Sequence, residues 1–266
     1  MQRRLTRRRL LALPVGLLLV PDPVAGAAKT RTDFTFRVDV GVLFDLLTFS
    51  VSGGLVEEID WRAGRYRVAF AGEGAGVTNR TEAAGVIKRG RFMPTEMKSA
   101  GTVRGRQNRL EVAYDYERGR VEYHSVSHTL LLGRRREVHD VLRLPADQPL
   151  DDVVSATLNF AANRLEVGPD GFCRTAVVRR ARAENEGPDE VSAHAYRAEI
   201  VPLRFRVTAD PASGQLTALV DLTGFSSWAR SNRPARLTFD ARRHLESVES
   251  SLILGSTVKV RLEAGT

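Results

Sequence analysis

An alternation of apolar and polar side chains with a period of two is the pattern that most constrains this fold. Phe34, Phe36 and Val38 alternate with Thr35 and Arg37, and the same alternation recurs further along the chain. The later segments centre on residues 65–70, 109–116, 121–123, 201–208, 216–222, 237–239 and 258–263. Successive side chains of a β-strand point to opposite faces, so each segment predicts a strand with one buried and one exposed face.

Short turns rich in glycine, proline and aspartate join these segments. Glu117–Gly119 and Asp210–Gly214 are two such turns, and each predicts a hairpin between its flanking segments. Strands joined in this way run antiparallel, and a sheet of many twisted strands tends to curl or close because its edges are exposed. The sequence therefore predicts a mainly β protein, with a curved antiparallel sheet or a partly closed β-barrel of about a dozen strands.

One segment departs from the period of two and predicts a helix packed on this sheet, at about residues 150–166. Asp151 or Asp152 provides an N-cap whose negative charge complements the helix dipole, and Pro149 and Gly168 mark the two ends. The apolar residues at steps of three and four, on one helical face, are Leu150, Val154, Leu158, Ala161, Ala162 and Leu165.

The first 27 residues are typical of an export signal. A basic start, MQRRLTRRR, precedes the apolar run LLALPVGLLLV, and Ala25 and Ala27 fit a cleavage site after Ala27. The segment TRRRLL resembles a twin-arginine motif, and an arginine-rich signal for the general secretory route fits equally well. We therefore expect the mature chain in the periplasm. No later apolar run reaches about 18 residues, so no transmembrane span is expected in the mature chain.

Residues 28–266 are expected to form a single β-rich domain, with a soft boundary near the acidic segment 183–190. The formal charge of the chain is +8, and the export segment carries five arginines and one aspartate, which is half of that charge. The modest charge that remains without the export segment argues against a nucleic-acid partner. Only four of the 40 basic residues are lysine, so the remaining charge comes mainly from arginine. The sequence does not indicate an oligomeric state.

Two groups of residues invite a catalytic or metal-binding interpretation. Asp151, Asp152 and Ser155 could join a histidine in a hydrolase-like triad, but no GxSxG motif surrounds Ser155 and capping already explains the aspartates. His124 and His128 lie four residues apart in a predicted strand, where that spacing covers about 13 Å, too far for one metal ion. No catalytic residue, metal site or other cofactor is therefore predicted.

Two aromatic residues in a predicted loop are the candidates for ligand binding. Phe225 and Trp228 lie in TGFSSWAR, and exposed aromatic side chains can mark the mouth of a ligand site. They could equally cover the open end of the core, and the sequence does not decide between these interpretations.

The order of several segments resembles an exported bacterial family, the domain of unknown function 3108. The segments are GVLFDLLTFSV, GRFMPTEMKSAG, AYDYERGRVEY, LPADQPLDDVVSATLNFAANRL and ARLTFDARRHLESVESSLILGSTVKVRLE. Pro94, Asp152, Ser155 and Gly255 stand where the family has comparable residues, whereas His244-Leu245 replaces the family's proline after the aspartate of the final hairpin. The resemblance implies a curved antiparallel β-structure with a packed helix, exported to the cell envelope, and it implies no activity and no catalytic residue.

These observations favour a non-catalytic periplasmic or cell-envelope protein. A strongly curved sheet has a concave side, which could bind an apolar or amphipathic envelope molecule such as a lipid or glycan. A partner protein of the envelope, or a purely structural role in assembly, is a further interpretation. The alternative from another class is an envelope hydrolase or polysaccharide-processing enzyme that uses the carboxylates of Asp151 and Asp152.

Overall fold

The computed structural model describes residues 29–42, 47–129, 132–145, 148–182, 191, 196–224, 229–230, 232–252 and 256–264. The predicted export segment, residues 1–27, and the predicted boundary, residues 183–190, lie outside the described residues. The elements in chain order are β1 Thr30–Val42, β2 Leu47–Asp60, β3 Arg65–Gly74, β4 Val77–Lys88, β5 Arg91–Val103, β6 Arg106–Asp115, β7 Arg120–His128, β8 Arg135–Arg143, β9 Leu150–Asp151, α1 Val153–Ala161, β10 Glu166–Val167, β11 Phe172–Arg180, β12 Ala198–Ala209, β13 Leu216–Val220, β14 Ala235–Phe239, β15 Leu245–Ser251 and β16 Thr257–Ala264.

The described strands form one sheet in the order β10-β11-β12-β13-β14-β15-β16-β1-β2-β3-β4-β5-β6-β7-β8. Neighbours in this order run antiparallel, and the short β9 pairs in parallel with β11 at Ala176 and Val177. The mainly β, antiparallel prediction is confirmed, but the count of about a dozen strands is too low, because the described residues contain sixteen. The two-residue strands β9 and β10 are too short to show an alternating pattern, so the sequence could not reveal them.

The sheet does not close by backbone pairing, because its two ends overlap. Cys173 and Phe205, on one face of β11 and β12, pack around Phe160 of α1. Ala176 and Ala198, on the other face, pack against the apolar side chains of β6, β7 and β8. Strands β11 and β12 therefore lie between helix α1 on one side and strands β6 to β8 on the other. The sheet is rolled so that its two ends overlap. Both faces of these strands need apolar residues, which explains the continuous apolar run at residues 176–178.

Helix α1 is shorter than predicted, at Val153–Ala161 instead of about 150–166. It begins after Asp152, whose extended backbone and side-chain acceptor make it the N-cap. It ends before Asn163, whose φ of 56° is left-handed and cannot continue the helix. The residues before the cap, Leu150–Asp151, form β9, so Leu150 reaches the core from a strand and not from the predicted helical face.

The helix fills one end of the rolled sheet and joins two apolar clusters. Leu158 packs among residues of β2, β3 and β5, including Tyr66 and Phe92. Phe160 faces the other way, with its ring 4.5 Å from that of Phe239 and 5.5 Å from that of Phe205. Within the described part of the chain, no helix is long and apolar enough to cross a membrane.

Candidate functional site

The carboxylate of Asp151 lies at the centre of a buried polar network. It accepts hydrogen bonds from Arg91 Nη2 at 2.7 Å, Thr175 Oγ1 at 2.6 Å and Asn159 Nδ2 at 3.0 Å. Asn159 also exchanges two hydrogen bonds with the backbone of Phe92. Burial raises the pKa of Asp151, and the guanidinium of Arg91 opposes this rise. The network joins β5, β9, α1 and β11, so its primary effect is to hold the helix in the sheet.

Asp152 is the helix cap, and its carboxylate is only partly satisfied. Oδ1 accepts from the Ser155 backbone N at 2.7 Å, and Ser155 Oγ accepts from the Asp152 backbone N at 2.9 Å, which completes a capping box. Oδ2 is buried and makes no hydrogen bond with any described residue. Burial raises the pKa of Asp152 to about 6. Ser155 is therefore engaged in the cap, and Asp151 has the separate role in the network.

Three tyrosines border the two aspartates. Burial, and then the charges of the aspartates, raise the pKa of Tyr66, Tyr114 and Tyr116, so the phenols are neutral near pH 7. The two aspartates are 0% and 4% exposed. A substrate in solvent therefore does not reach Asp151 or Asp152 in this conformation.

The histidines and the cysteine do not form a metal cluster among the described residues. His124 and His128 lie on β7, and the ring of His124 is 5.4 Å from that of His139 on the neighbouring β8. Cys173 is buried in the apolar cluster around Phe160. Across the described ranges, no three His, Cys, Asp or Glu side chains come together as metal ligands.

The inner face of the sheet, which carries Tyr66 and Val68 and packs on α1, has a polar region on β4 to β7. Five of its side chains are here called the polar wall: Asn79, Ser99, Asn108, Ser125 and Ser127. They line a cavity of about 390 Å³ together with apolar residues such as Leu110. The inner face thus combines amide and hydroxyl groups with an open volume, a combination typical of ligand sites.

The inner face of β1, β15 and β16 has the opposite character. Its side chains are apolar and half-buried, and none belongs to the three core clusters. These residues, here called the apolar wall, are Phe36, Val38, Val40, Val248, Val258, Val260 and Leu262. A contiguous set of apolar side chains that is left partly uncovered provides a surface suited to an apolar ligand group.

A single cross-strand row joins the two walls across the inner face. In register order it runs through Leu262, Phe36, Gly53, Gly72, Asn79, Gly101 and Asn108. The ring of Phe36 lies over two of these glycines, because a Cβ at Gly53 or Gly72 would stand 2.7 or 2.6 Å from its Cζ. Glycine therefore lets the aromatic ring cover the sheet between the walls.

Other depressions lie mainly on the outer face and differ in character. A cavity of about 350 Å³ is lined by residues that include the ion-paired Glu58 and Arg67. Another of about 740 Å³ is lined mostly by outer-face residues such as Arg80, together with Phe36, Gly53, Gly72 and Asn79 of the row. Charged side chains that remain in water are poorly suited to bind a small molecule, because such sites are mostly apolar and hold a few converging polar groups.

The ligand site predicted from the sequence is a different one, at Phe225 and Trp228. Phe225 and Trp228 lie outside the described residues. The residues that the sequence reasoning missed are Asn79 and Asn108, each a single polar side chain at an inner position of a strand. The sequence did contain a signal for Asn79, because it lies two residues from Val77 and from Thr81 and therefore shares their face of the strand.

The comparisons with known proteins assign the chain to no family. No protein-family model matches the chain, and no curated protein matches it, so the resemblance to the domain of unknown function 3108 is not confirmed. One similar solved structure is a β-barrel-like protein of the domain of unknown function 1849 from Brucella abortus. It is 10% identical, with a TM-score of 0.43, and the match covers 88% of this chain and 98% of that chain.

Proposed function

We propose that this chain is a non-catalytic binding protein of the cell envelope that holds an amphipathic molecule against its inner face. The observation that carries the proposal is the division of that face into an apolar wall and a polar wall. An amphipathic molecule could place its hydrocarbon part against the first wall and its polar part in the cavity beside the second.

The energetics favour such a ligand over a purely polar one. Covering the remaining surface of one half-buried valine or leucine contributes about 1 kcal/mol, and the apolar wall offers seven apolar side chains. Association costs several kcal/mol in lost freedom of motion, so contact with a few of these side chains does not suffice. A ligand with a chain long enough to cover most of the wall would overcome this cost.

The setting of this activity is part of the proposal. The export-like segment at residues 1–27 and the resemblance to the domain of unknown function 3108 favour the periplasm. There lipids and glycolipids would be the natural amphipathic ligands.

The hydrolase alternative receives less support from the geometry. Asp151 is engaged by three donors and Asp152 caps the helix, and both are buried. A ligand with an ester bond would test this alternative directly, because hydrolysis would release a free fatty acid.

The experiment measures binding of 1-oleoylglycerol, a monoacyl ester, by native mass spectrometry and by calorimetry. We expect a one-to-one complex with a negative heat-capacity change and no release of oleate. Val38 and Val260 are register partners in the apolar wall, so the double variant Val38→Thr and Val260→Thr places two hydroxyl groups there without changing side-chain volume. It is expected to weaken binding about tenfold.

The matched control is Arg37→Gln, which changes the outer face of the same strand. It removes an exposed ion pair and is expected to leave affinity unchanged. Absence of any complex, or equal affinity of the double variant and the unaltered protein, would refute the proposed function. Release of oleate would support the hydrolase instead.

A further inference from the structure

Two carboxamides of the polar wall have their carbonyl oxygens engaged and their amino groups free. Asn108 Oδ1 accepts from the His128 backbone N at 2.8 Å. Asn79 Oδ1 accepts from Ser99 Oγ at 3.2 Å, and Ser99 in turn accepts from Thr81 Oγ1 at 2.8 Å. Neither Asn79 Nδ2 nor Asn108 Nδ2 donates to any described residue. These bonds orient both side chains so that four N–H bonds remain for a ligand.

The two carboxamides stand on either side of a gap in the wall. Asn79 and Asn108 are both register partners of Gly101, so their Cα atoms are about 10 Å apart across three strands. A Cβ at Gly101 would collide with the carbonyl oxygen of Thr78. The glycine therefore leaves the space between the two amino groups without a side chain, and this space belongs to the cavity of about 390 Å³.

The charged side chain on the inner face of β4 to β7 is that of Arg106, which is positive. The inner-facing residues of β4 to β7 include no aspartate or glutamate, and the acidic residues of these strands, such as Glu82 and Glu111, form ion pairs on the outer face. Arg106 shares the face of Asn108, about 7 Å along β6, and makes no ion pair with a described residue. Arg136 is buried opposite Ser127.

We propose that the polar wall binds an oxyanion, a phosphate or a carboxylate, at the head of the amphipathic ligand. Asn79 and Asn108 donate hydrogen bonds to its oxygens, and Arg106 supplies the complementary charge. The amino groups of Asn79 and Asn108 have no acidic group nearby, so they favour a ligand that carries hydrogen-bond acceptors. The positive charge of Arg106 favours a negatively charged acceptor over a neutral one. This inference rests on the proposed function, because the apolar wall must hold the chain that carries the oxyanion.

The test compares three ligands with the same acyl chain and different heads: 1-oleoylglycerol, oleate and oleoyl lysophosphatidic acid, each at a concentration below micelle formation. The unaltered protein is expected to bind at least one of the two anions at least tenfold more tightly than the neutral ester. The anion with the higher affinity identifies the source of the oxyanion. Equal affinities for all three ligands would overturn the inference and leave the proposed function standing, whereas failure of all three to bind would refute the proposed function itself.

Three variants test the assignment of residues. Asn79→Asp and Asn108→Asp keep the carbonyl acceptor for Ser99 or the His128 backbone but replace the amino donors with an acceptor, so each is expected to reduce the preference for anions at least fivefold. Arg106→Gln is expected to do the same and to leave the affinity for 1-oleoylglycerol unchanged.

The matched control is Arg135→Gln, which removes one positive charge from the outer face of β8. It is expected to keep the preference for anions. If Arg135→Gln and Arg106→Gln reduce that preference equally, net charge explains it and the site does not exist. Circular dichroism and melting temperature confirm the fold of each variant, and an unfolded Asp variant leaves Arg106→Gln to decide.

Discussion

The raised pKa of Asp152 predicts an unusual dependence of stability on pH. Its pKa is about 6 in the folded protein, against an ordinary value of 3.8. The folded state therefore binds this proton more tightly than the unfolded state. The resulting stabilisation is complete below pH 3.8 and is lost as the pH rises through 6.

The magnitude follows from the size of the shift. A difference of about two pKa units corresponds to about 3 kcal/mol between the two limits. At pH 5 about 1.4 kcal/mol of this stabilisation is present, and at pH 7 almost none remains. The variant Asp152→Asn keeps an oxygen acceptor for the Ser155 backbone N but cannot titrate. The stability of the unaltered protein minus that of the variant should therefore increase by about 1.4 kcal/mol from pH 7 to pH 5.

Urea unfolding at pH 7, 6 and 5 measures this difference, with the slope of the transition checked for equality between the two proteins. Asp33→Asn is a control for the loss of one carboxylate, because Asp33 is exposed and, within the described ranges, pairs with Arg31; its effect on stability is expected to stay within about 0.5 kcal/mol at each pH. A difference between Asp152→Asn and the unaltered protein that stays constant from pH 7 to 5, or that changes in the opposite direction, would refute the reasoning.

Two further substitutions test the network and the glycine row. Asp151→Asn removes the ion pair of Arg91, whose side chain is only 20% exposed, and should lower the free energy of unfolding by about 3 kcal/mol in urea titrations. A loss below about 1 kcal/mol would contradict a stabilising role. Gly72→Ala places a methyl group 2.6 Å from the Phe36 ring and should cost about 1–3 kcal/mol, part of which the added change Phe36→Leu should restore in a double-mutant cycle.

The alternation of side chains predicted the strands well, because a half-buried strand imposes a period of two on its sequence. Phe34, Phe36 and Val38 lie on β1 with the predicted alternation. The overlap of the sheet was not predictable in the same way. The run at residues 176–178 shows that both faces of β11 are buried, but it cannot show that β6 to β8 cover one of them.

In the helix and the candidate site, too, local features could be predicted from the sequence and long-range contacts could not. The capping role of Asp152 follows from local spacing, since the cap and Ser155 are three residues apart. The separate network of Asp151 depends on Arg91 and Thr175, which are 60 and 24 residues from Asp151 in the chain, beyond any local pattern. The donors of the polar wall are similarly non-local, because their orientation depends on Ser99 and on the backbone of the next strand.

The overlapping ends of the sheet have a mechanical consequence. In a closed barrel, strand number and stagger fix the circumference, and any expansion would break backbone hydrogen bonds. Here side-chain contacts hold the seam, among them the hydrogen bond from the Ala198 backbone N to Asp140 Oδ2 at 3.0 Å. A change in the width of the roll would therefore break side-chain contacts such as these and leave the ladders within the sheet intact. The girth of the interior is therefore set by side-chain packing at the seam and not by strand count.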